Sequence, residues 1–509
     1  MLIVGGGPVG LATAIGLRRF GVPCVLVERH ASTLDFPKGR RVTVRSMEIF
    51  RQWGLEEAVE AVALPRGESL AIYWGETLLA SDFRRASAPL ETETTNSPTQ
   101  EVICSQELLE PVLRERAESL GADVRFGVAL SSFVQDQAGV TAELMDVETG
   151  EKTHMRAAYL VAADGARSPC RSALGVDWVS IAKLGHMVSI MVEADLAARV
   201  ADRPSALYRV DKPRPGSLFA VVDNVDHWLL MTPRDPELEP PESFTDERCL
   251  ELVSAGIGDP DIELTPVGHR FWQSAAAVAG RFRQGRVFLA GDAAHITTPV
   301  GGLGMNCGIS DAHNLAWKLA GVIAGWAAPA LLDSYEPERR PVARASAEAS
   351  LGPARPPSPV EGLVLGYAYE SPVVVPDDKP PPAPADPLGD YVPTGRAGHR
   401  APHLWLERDG TKRSVIDLFD DSFVALTSTP ESIDGLDRAR ARSSIPLKVH
   451  AVDDGSFLDL YGLERGGIVL VRPDGYVAWR SHSAPAGAGE LDAALRLAAG
   501  HPASLAPQL

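Results

Sequence analysis

Cysteine is scarce in this sequence, and its spacing excludes more than its count. Five occur among 509 residues, Cys24, Cys104, Cys170, Cys249 and Cys307, and no two are close enough to spell a C-x-x-C pair or a local zinc cluster. They read as buried, reduced thiols of a cytosolic protein, and no metal site is expected. After Cys307 there is none, so thiol redox chemistry is excluded from the rest of the chain. Positive charge is also short: 49 Lys and Arg against 67 Asp and Glu leave a net charge of −18. That balance argues against a nucleic-acid surface, and an anionic ligand must be met by local donors. Long apolar runs are missing too. Met1–Val4 runs straight into glycines, far short of the roughly 20 residues of a membrane span. A soluble, cytoplasmic protein without a membrane partner is expected, and the short opening strand leaves an extension before Met1 open.

What the sequence does have is glycine in two telling places. Leu2-Ile3-Val4 reads as a strand, Gly5-Gly6-Gly7-Pro8-Val9-Gly10 as a turn, Leu11 to Phe20 as a helix, and Cys24 to Glu28 as a second strand: a βαβ beginning. Gly5-x-Gly7-x-x-Gly10 permits a tight turn, close approach to a pyrophosphate and close helix packing, with the helix N-terminus offering free N–H groups to phosphate. Glu28, at the strand end, is placed for the hydroxyls of an adenosine ribose and disfavours a 2′-phosphate there. FAD and NAD both fit this pocket.

The second place separates them. Gly291-Asp292-Ala293-Ala294-His295 follows a buried strand, and Pro299-Val300-Gly301-Gly302-Leu303-Gly304-Met305-Asn306 leads into a helix. Asp292 can hold ribityl hydroxyls, and the loop and helix N-terminus can meet the pyrimidine end of a flavin. An NAD dehydrogenase needs no such second site, so the pair points to FAD.

Between the two, helices are expected at Val44 to Trp53 and at Gln106 to Leu120 with Ser105 as its N-cap, a meander near Val124 to Leu144, and a buried strand at Tyr159 to Ala163. From about 176 the pattern turns to strands such as His186 to Val192 and Ser217 to Val222. A long helix is expected from about Ser310 to Gly325. The region from Gly352 to Pro393 holds 12 of the 40 prolines and reads as a linker with one short strand at Leu365 to Tyr369. Beyond 395, strands at Phe423 to Leu426 and Gly467 to Val471 and a helix at Gly489 to Ala499 suggest a small α/β unit. The expected architecture is α/β: a Rossmann-like dinucleotide-binding domain (1–175 with 280–350), an inserted antiparallel-sheet substrate domain (176–279), a linker (351–394) and a C-terminal domain (395–509).

Three motifs in this order and spacing resemble those of the class A flavoprotein aromatic hydroxylases, of the para-hydroxybenzoate and phenol hydroxylase type. They are G-G-G-P-V-G, the Asp164-Gly165-Ala166-Arg167-Ser168-Pro169-Cys170-Arg171 element, and G-D-A-A-H with its downstream glycine loop. The resemblance implies FAD contacts at Gly5, Gly7, Pro8, Val9, Gly10, Glu28, Arg29, Arg41, Arg45, Gln106, Val128, Asp164, Gly165, Gly291, Asp292, Pro299, Gly302, Leu303, Gly304, Met305 and Asn306. Lys38 stands where relatives often carry Arg, and Cys307 where they often carry Thr. The tail resembles the thioredoxin-like domain of the longer members, here without cysteine, and fits packing or oligomerisation in a monomer or homodimer.

The implied reaction takes hydride from NADH or NADPH, forms a flavin C4a-hydroperoxide with dioxygen, and passes one oxygen atom to an electron-rich ring. The cofactor carries that chemistry, so no nucleophilic triad is required. A base that ionises a phenol would help, but none is assigned. His295 and Pro299 are the candidates for a chemical role, with His186, His227 and Arg209 in the substrate layer. Tyr208, Trp228, Trp272, Pro299 and Val300 are the candidates for substrate contact. Hydroxylation of a phenolic or polycyclic aromatic in bacterial antibiotic biosynthesis is the leading reading. Baeyer–Villiger or epoxidising chemistry and a flavin-binding partner protein that only sequesters an intermediate are the rivals. The W-x-W-x-I-P element of flavin halogenases is absent.

Overall fold

The computed structural model describes residues 1–502 except 66–71, 86–93, 224, 353–359, 378–379, 381, 409, 430–435, 437–439, 442 and 484–487. Leu2–Val4, buried along its whole length, is a central strand of the first sheet. Its sequence shows no alternation because a parallel sheet is covered on both faces. The strand order is Arg283–Gln284, Val287–Leu289, Leu160–Ala162, Leu2–Val4, Val25–Glu28, Asp123–Phe126, parallel throughout except for the first hairpin. Helix Pro8–Arg19 packs against both Gln106–Ser119 and Leu303–Ala324. A three-stranded antiparallel meander, Val128–Gln135, Val140–Asp146 and Lys152–Ala157, leaves this sheet.

The second sheet has eight strands in the order His295–Ile296, Thr265–Ala279, Trp178–Glu193, His227–Arg234, Ser217–Val221, Leu207–Val210, Ile72–Gly75, Arg84–Arg85. Its two longest strands are bent by three register shifts, and such irregularities increase local twist. It also draws on the chain outside 176–279: Ile72–Gly75 and Arg84–Arg85 complete one edge, and His295–Ile296, from the second glycine-rich region, the other. One face is covered by helix Asp246–Ile257, which contributes Cys249, Leu252, Val253 and Ile257 to a core with Val188, Ile190 and Val192.

The C-terminal unit is a four-stranded mixed sheet, Leu447–Ala451, Phe423–Thr427, Ile468–Val471, Val477–Ser481, of the thioredoxin-like kind. Alternate residues serve two cores, as the two-residue strand period requires. Phe423, Ala425, Ile468 and Leu470 pack with Trp317 and Leu331 of the first domain, while Val424, Leu426, Val469 and Val471 face Phe457 and Tyr461. The junction is also held by ion pairs shut away from water. Arg472 meets Glu338 at 2.7 Å with both side chains at 0% exposure, and Arg400 forks onto Glu48. Removing one partner of such a pair is costly because the other charge stays buried.

Several elements differ from expectation. The long helix begins at Leu303, not near Ser310, directly behind left-handed Gly302 (φ +65°), which ends the loop and offers no side-chain cap. Ser105 does not cap its helix by a side-chain bond; its Oγ donates to Glu107 Oε2 at 2.7 Å. The expected strand at 365–369 is reduced to a single antiparallel bridge, Ala368 with His399, and is preceded by a helix, Glu361–Leu365, whose Leu363, Val364 and Leu365 pack on Val44 and Leu303. Part of the proline-rich stretch (353–359, 378–379, 381) lies outside the described residues. No described helix is long and apolar enough to cross a membrane.

Candidate functional site

The three glycines of the first turn do different work. Gly5 is left-handed (φ +110°), and a Cβ there would lie 2.2 Å from Ala163 O; at Gly10 it would lie 1.9 Å from Gly5 O. At Gly7 the nearest described atom would be Glu110 Oε1 at 3.8 Å. The outer glycines are thus needed by the protein itself, and the middle one leaves room for a ligand. Helix Pro8–Arg19 starts there with no side-chain cap and no acid in its first turn, so its free N–H groups face an anion seat. Glu28 is fixed at the strand end by the Gly6 N–H (2.7 Å) and the His30 N–H (2.9 Å). Arg29 beside it is exposed. Val128 follows Gly127, whose N–H donates to His30 O at 2.8 Å, and so flanks the same corner.

Helix Gln106–Ser119 lines the next stretch. Gln106 accepts from the Gly39 N–H at 3.2 Å and donates to Glu110 Oε1 at 2.7 Å. Glu110 also accepts from the Leu34 N–H at 2.7 Å. Burial pushes its carboxyl above the usual range, against the lowering effect of these donors. Sequence reasoning missed Glu110; an acid four residues after Gln106, between apolar Leu109 and Leu113, was the available signal.

Asp292 reaches the cleft from the second glycine region, and Lys38 crosses to it with a 2.9 Å ion pair. Burial opposes the carboxylate, but the Lys38 ammonium outweighs it and holds the Asp292 pKa below the ordinary value. Asp164 is tied into its own motif: Oδ1 accepts from Ser168 Oγ at 2.6 Å and Oδ2 from the Cys170 N–H at 2.9 Å. Gly165 next to it is left-handed (φ +80°) with open space beside its Cα. Arg171 closes the motif over the Trp178 ring, 3.8 Å from its centroid, and donates to Ala293 O at 3.1 Å.

Pro299 and half-exposed Val300 open the loop, and consecutive left-handed Gly301 (φ +81°) and Gly302 (φ +65°) end it at the uncapped start of helix Leu303–Ala324. Gly304 and Met305 are half-buried and accessible, whereas Leu303 is buried among Val44 and Leu363. Asn306 clamps the loop to strand Arg41–Val42: its Nδ2 donates to Arg41 O (2.8 Å) and Gly302 O (2.6 Å), and its Oδ1 accepts from Thr43 N–H (2.9 Å). Arg41 pairs with Glu101 at 2.7 Å and donates to Gly301 O at 3.3 Å, so it supports the loop from behind.

Two expectations fail here. Arg45 does not turn to the cleft; its guanidinium is buried, paired with Glu48 at 2.9 Å and donating to Asp474 O at 2.8 Å, because the C-terminal unit covers that side of its helix. His295 is fully buried, 2.7 Å from Asp311. Burial works against its charge, but Cys307 and the Asp311 carboxylate raise its pKa well above normal. It lies behind the turn, with its side chain at 0% exposure.

The sheet above the cleft sorts the aromatic candidates by face. Tyr208 and Trp228 belong to the core under helix Asp246–Ile257, away from the glycine loops. Trp272 lies on the other face, where its Nε1 donates to Ser189 Oγ at 2.9 Å. The same face carries Met191, Ala220 and Leu229, packed against Phe36 of the loop that also bears Lys38. Phe36 was missed because only the fold brings it to the sheet. His186 and His227 lie toward the ends of the paired strands, and His227 is engaged by Asp223 at 2.7 Å.

The residues therefore fit an extended dinucleotide: an acid for a ribose, an open glycine and two uncapped helix N-termini for anionic groups, and an acid for a polyol, with a flat apolar ceiling beyond. Comparison with known proteins agrees. A family model described as an FAD binding domain matches residues 1–350, and one described as the aromatic-ring hydroxylase C-terminal domain matches 394–502. Tetracenomycin A2 monooxygenase-dioxygenase of Streptomyces glaucescens is 38% identical, covering 97% of this chain and 96% of that protein. The 4-methyl-5-nitrocatechol 5-monooxygenase of a Burkholderia species is also 38% identical, covering 94% of this chain and 95% of that protein. The ternary complex of aklavinone-11 hydroxylase with FAD and aklavinone superposes with a TM-score of 0.89 at 33% identity, over 98% of both chains.

Proposed function

The chain belongs to the FAD-dependent aromatic-ring hydroxylases and is a flavin monooxygenase, and we propose that it hydroxylates a phenolic or polycyclic aromatic substrate with NADH or NADPH as electron donor. The observation that carries the substrate class is the sheet face over the glycine loops. Its central positions are Met187, Ser189, Met191, Leu229, Met231 and Ala220, joined by Trp272 and Phe36, with no carboxylate or histidine among them and with one cation, Arg270, paired with Ser189 and lying over the Phe36 ring. Such a surface suits flat, apolar rings and excludes water from them.

FAD, bound and reduced by the nicotinamide, supplies the activation of dioxygen, one atom entering the ring and the other leaving as water. Glu28 accepts from the adenosine ribose, the Pro8–Arg19 N-terminus meets the pyrophosphate, and Asp292 meets the ribityl chain. The Gly301-Gly302 loop and the Leu303–Ala324 N-terminus hold the pyrimidine edge, where their N–H groups stabilise developing negative charge. Residues 1–175 with 280–350 form the cofactor domain in this reading, and 176–279 the body of the substrate domain. The chain's similarity to Streptomyces proteins named putative polyketide hydroxylase, tetracenomycin A2 monooxygenase-dioxygenase and aklavinone 12-hydroxylase supports a role in bacterial antibiotic biosynthesis.

The test is direct. The purified protein is expected to show a flavin spectrum and to oxidise NADH or NADPH faster in the presence of a substrate from a panel of phenols and polyketide-like quinones, giving a product heavier by one oxygen. Ring position of that oxygen separates hydroxylation from Baeyer–Villiger insertion. Failure to bind FAD overturns the reading; peroxide release with every substrate unchanged favours a sequestering partner.

A further inference from the structure

The C-terminal unit has no thiol chemistry to offer, yet a chain of buried contacts, one aromatic and the rest polar, runs from it to the second glycine turn. Asp311, at 0% exposure, sits in the middle. Its Oδ2 accepts from the Gly291 N–H at 3.0 Å and lies 2.7 Å from His295 Nε2, and its Oδ1 accepts from Arg339 Nε at 2.7 Å. Gly291 directly precedes Asp292. Arg339, also at 0% exposure, spreads its remaining donors over two other segments. Nη2 reaches Cys307 O at 3.1 Å, just past the first turn of helix Leu303–Ala324, and Nη1 reaches Tyr369 OH at 3.1 Å. Tyr369 in turn packs on Tyr476 of the C-terminal unit, ring centroids 4.2 Å apart.

We infer that Arg339 is a positioning residue that couples docking of the C-terminal unit, through Tyr369, to the geometry of the flavin-holding turn, through Asp311. A planar guanidinium can hold a carboxylate, a carbonyl and a phenol at once, which the point charge of lysine cannot. Without the fork, Asp311 Oδ1 loses its charged donor, and only the contacts of Oδ2 with the Gly291 N–H and His295 are left to fix the carboxylate under the turn. The C-terminal unit is then a latch on the cofactor site. The inference rests on the reading that Asp292 holds the flavin.

The test uses full-length protein and three variants, Arg339→Lys, Tyr369→Phe and Asp292→Ala, with the double variant of the first two. FAD dissociation constants come from flavin fluorescence on reconstituting the apoprotein, flavin midpoint potentials from dye-coupled reduction, and folding from thermal melts. Tyr369→Phe removes one hydroxyl and leaves a buried Arg339 N–H short of an acceptor; it is expected to melt a few degrees below wild type but to stay folded, while binding FAD about tenfold more weakly, in the range usual for coupled sites. Arg339→Lys should weaken binding similarly and shift the midpoint potential, and the double variant should be no worse than the poorer single one. FAD affinity within twofold of wild type with an unshifted potential in both singles, or losses that simply add in the double, overturn the coupling. If Asp292→Ala also leaves FAD affinity unchanged, it is the assignment of the turn to the flavin that has failed; if only Asp292→Ala weakens it, the turn holds flavin without the latch.

Discussion

Trp228 and Trp272 belong to one sheet and face opposite ways. Trp228, 2% exposed, pairs with Val192 and lies in the core with Ile190 and Tyr208, whose ring centroid is 6.3 Å away. Trp272 pairs with Met187 and bonds Ser189 on the cleft side. Trp228→Ala is therefore expected to cost about 3–5 kcal/mol of stability, the usual loss for a buried tryptophan, with substrate affinity unchanged in whatever protein stays folded. Trp272→Phe should do the reverse, raising KM several-fold and moving the melting temperature little. Chemical denaturation and steady-state kinetics on both variants check this; a KM effect confined to Trp228 would reverse the assignment of the faces.

The glycine turn makes a similar paired prediction. An added methyl at Gly10 would sit 1.9 Å from Gly5 O, whereas at Gly7 it meets nothing nearer than Glu110 Oε1 at 3.8 Å. Gly10→Ala should lower the melting temperature of the apoprotein because backbone must move. Gly7→Ala should leave the apoprotein melt near wild type and instead abolish most FAD binding, since the methyl occupies the path of the pyrophosphate. Apoprotein melts and flavin titrations separate the two; equal melting losses would mean that Gly7 is structural.

Both glycine sites could be read from the sequence because their chemistry is local. Gly5 to Glu28 spans one strand, one helix and one strand, and its constraints are short-range sterics and a helix end. The cleft-side aromatics could not be read in the same way. Both faces of the Trp178–Glu193 strand carry apolar residues and its partner strand shifts register three times, so no alternation marks which of Tyr208, Trp228 and Trp272 faces the substrate. Arg45 misled for a different reason. Its helix was placed correctly, but its partner Asp474 is supplied by the tail, more than four hundred residues away. Asp311 went unnoticed as a lone acid within an apolar helix, and Arg339 as one of several charges on a polar helix; each shows its purpose only when its partners are in place.

The C-terminal unit also predicts a pH effect. His403 is buried, its Nδ1 2.7 Å from Ser414 Oγ, and burial, helped by the nearby Arg400 charge, lowers its pKa from 6.5 to about 4. Between those values the unfolded chain binds a proton that the folded chain refuses, so stability falls as pH falls through this window. The loss approaches about 1.4 kcal/mol for each pH unit below 6.5. His403→Gln removes this contribution, and the variant should lose less melting temperature than wild type between pH 7 and pH 5. Parallel slopes would show that His403 does not set the response.

Asn306 offers the sharpest test of how the flavin loop is held. The residue is 4% exposed, and its amide is used at both ends, accepting from Thr43 N–H and donating to the carbonyls of Arg41 and Gly302. Asn306→Ala leaves these groups without partners in a buried place, at about 1–3 kcal/mol for each one that water cannot reach, so a loss near 3 kcal/mol is expected. Asn306→Asp is nearly isosteric and keeps the acceptor for Thr43. Its ionised carboxylate, however, faces two carbonyl oxygens that the amide had satisfied, which adds repulsion to the loss of donors. The aspartate variant should therefore bind FAD more weakly than the alanine variant at pH 8. It should recover part of that difference at pH 5.5, where its buried carboxyl, pushed upward by burial and by those carbonyls, regains a proton and donates again. The alanine variant has nothing to titrate and should show no such recovery. Flavin titrations at the two pH values decide it: equal behaviour of the two variants would mean that Asn306 fills space between loop and strand without orienting either.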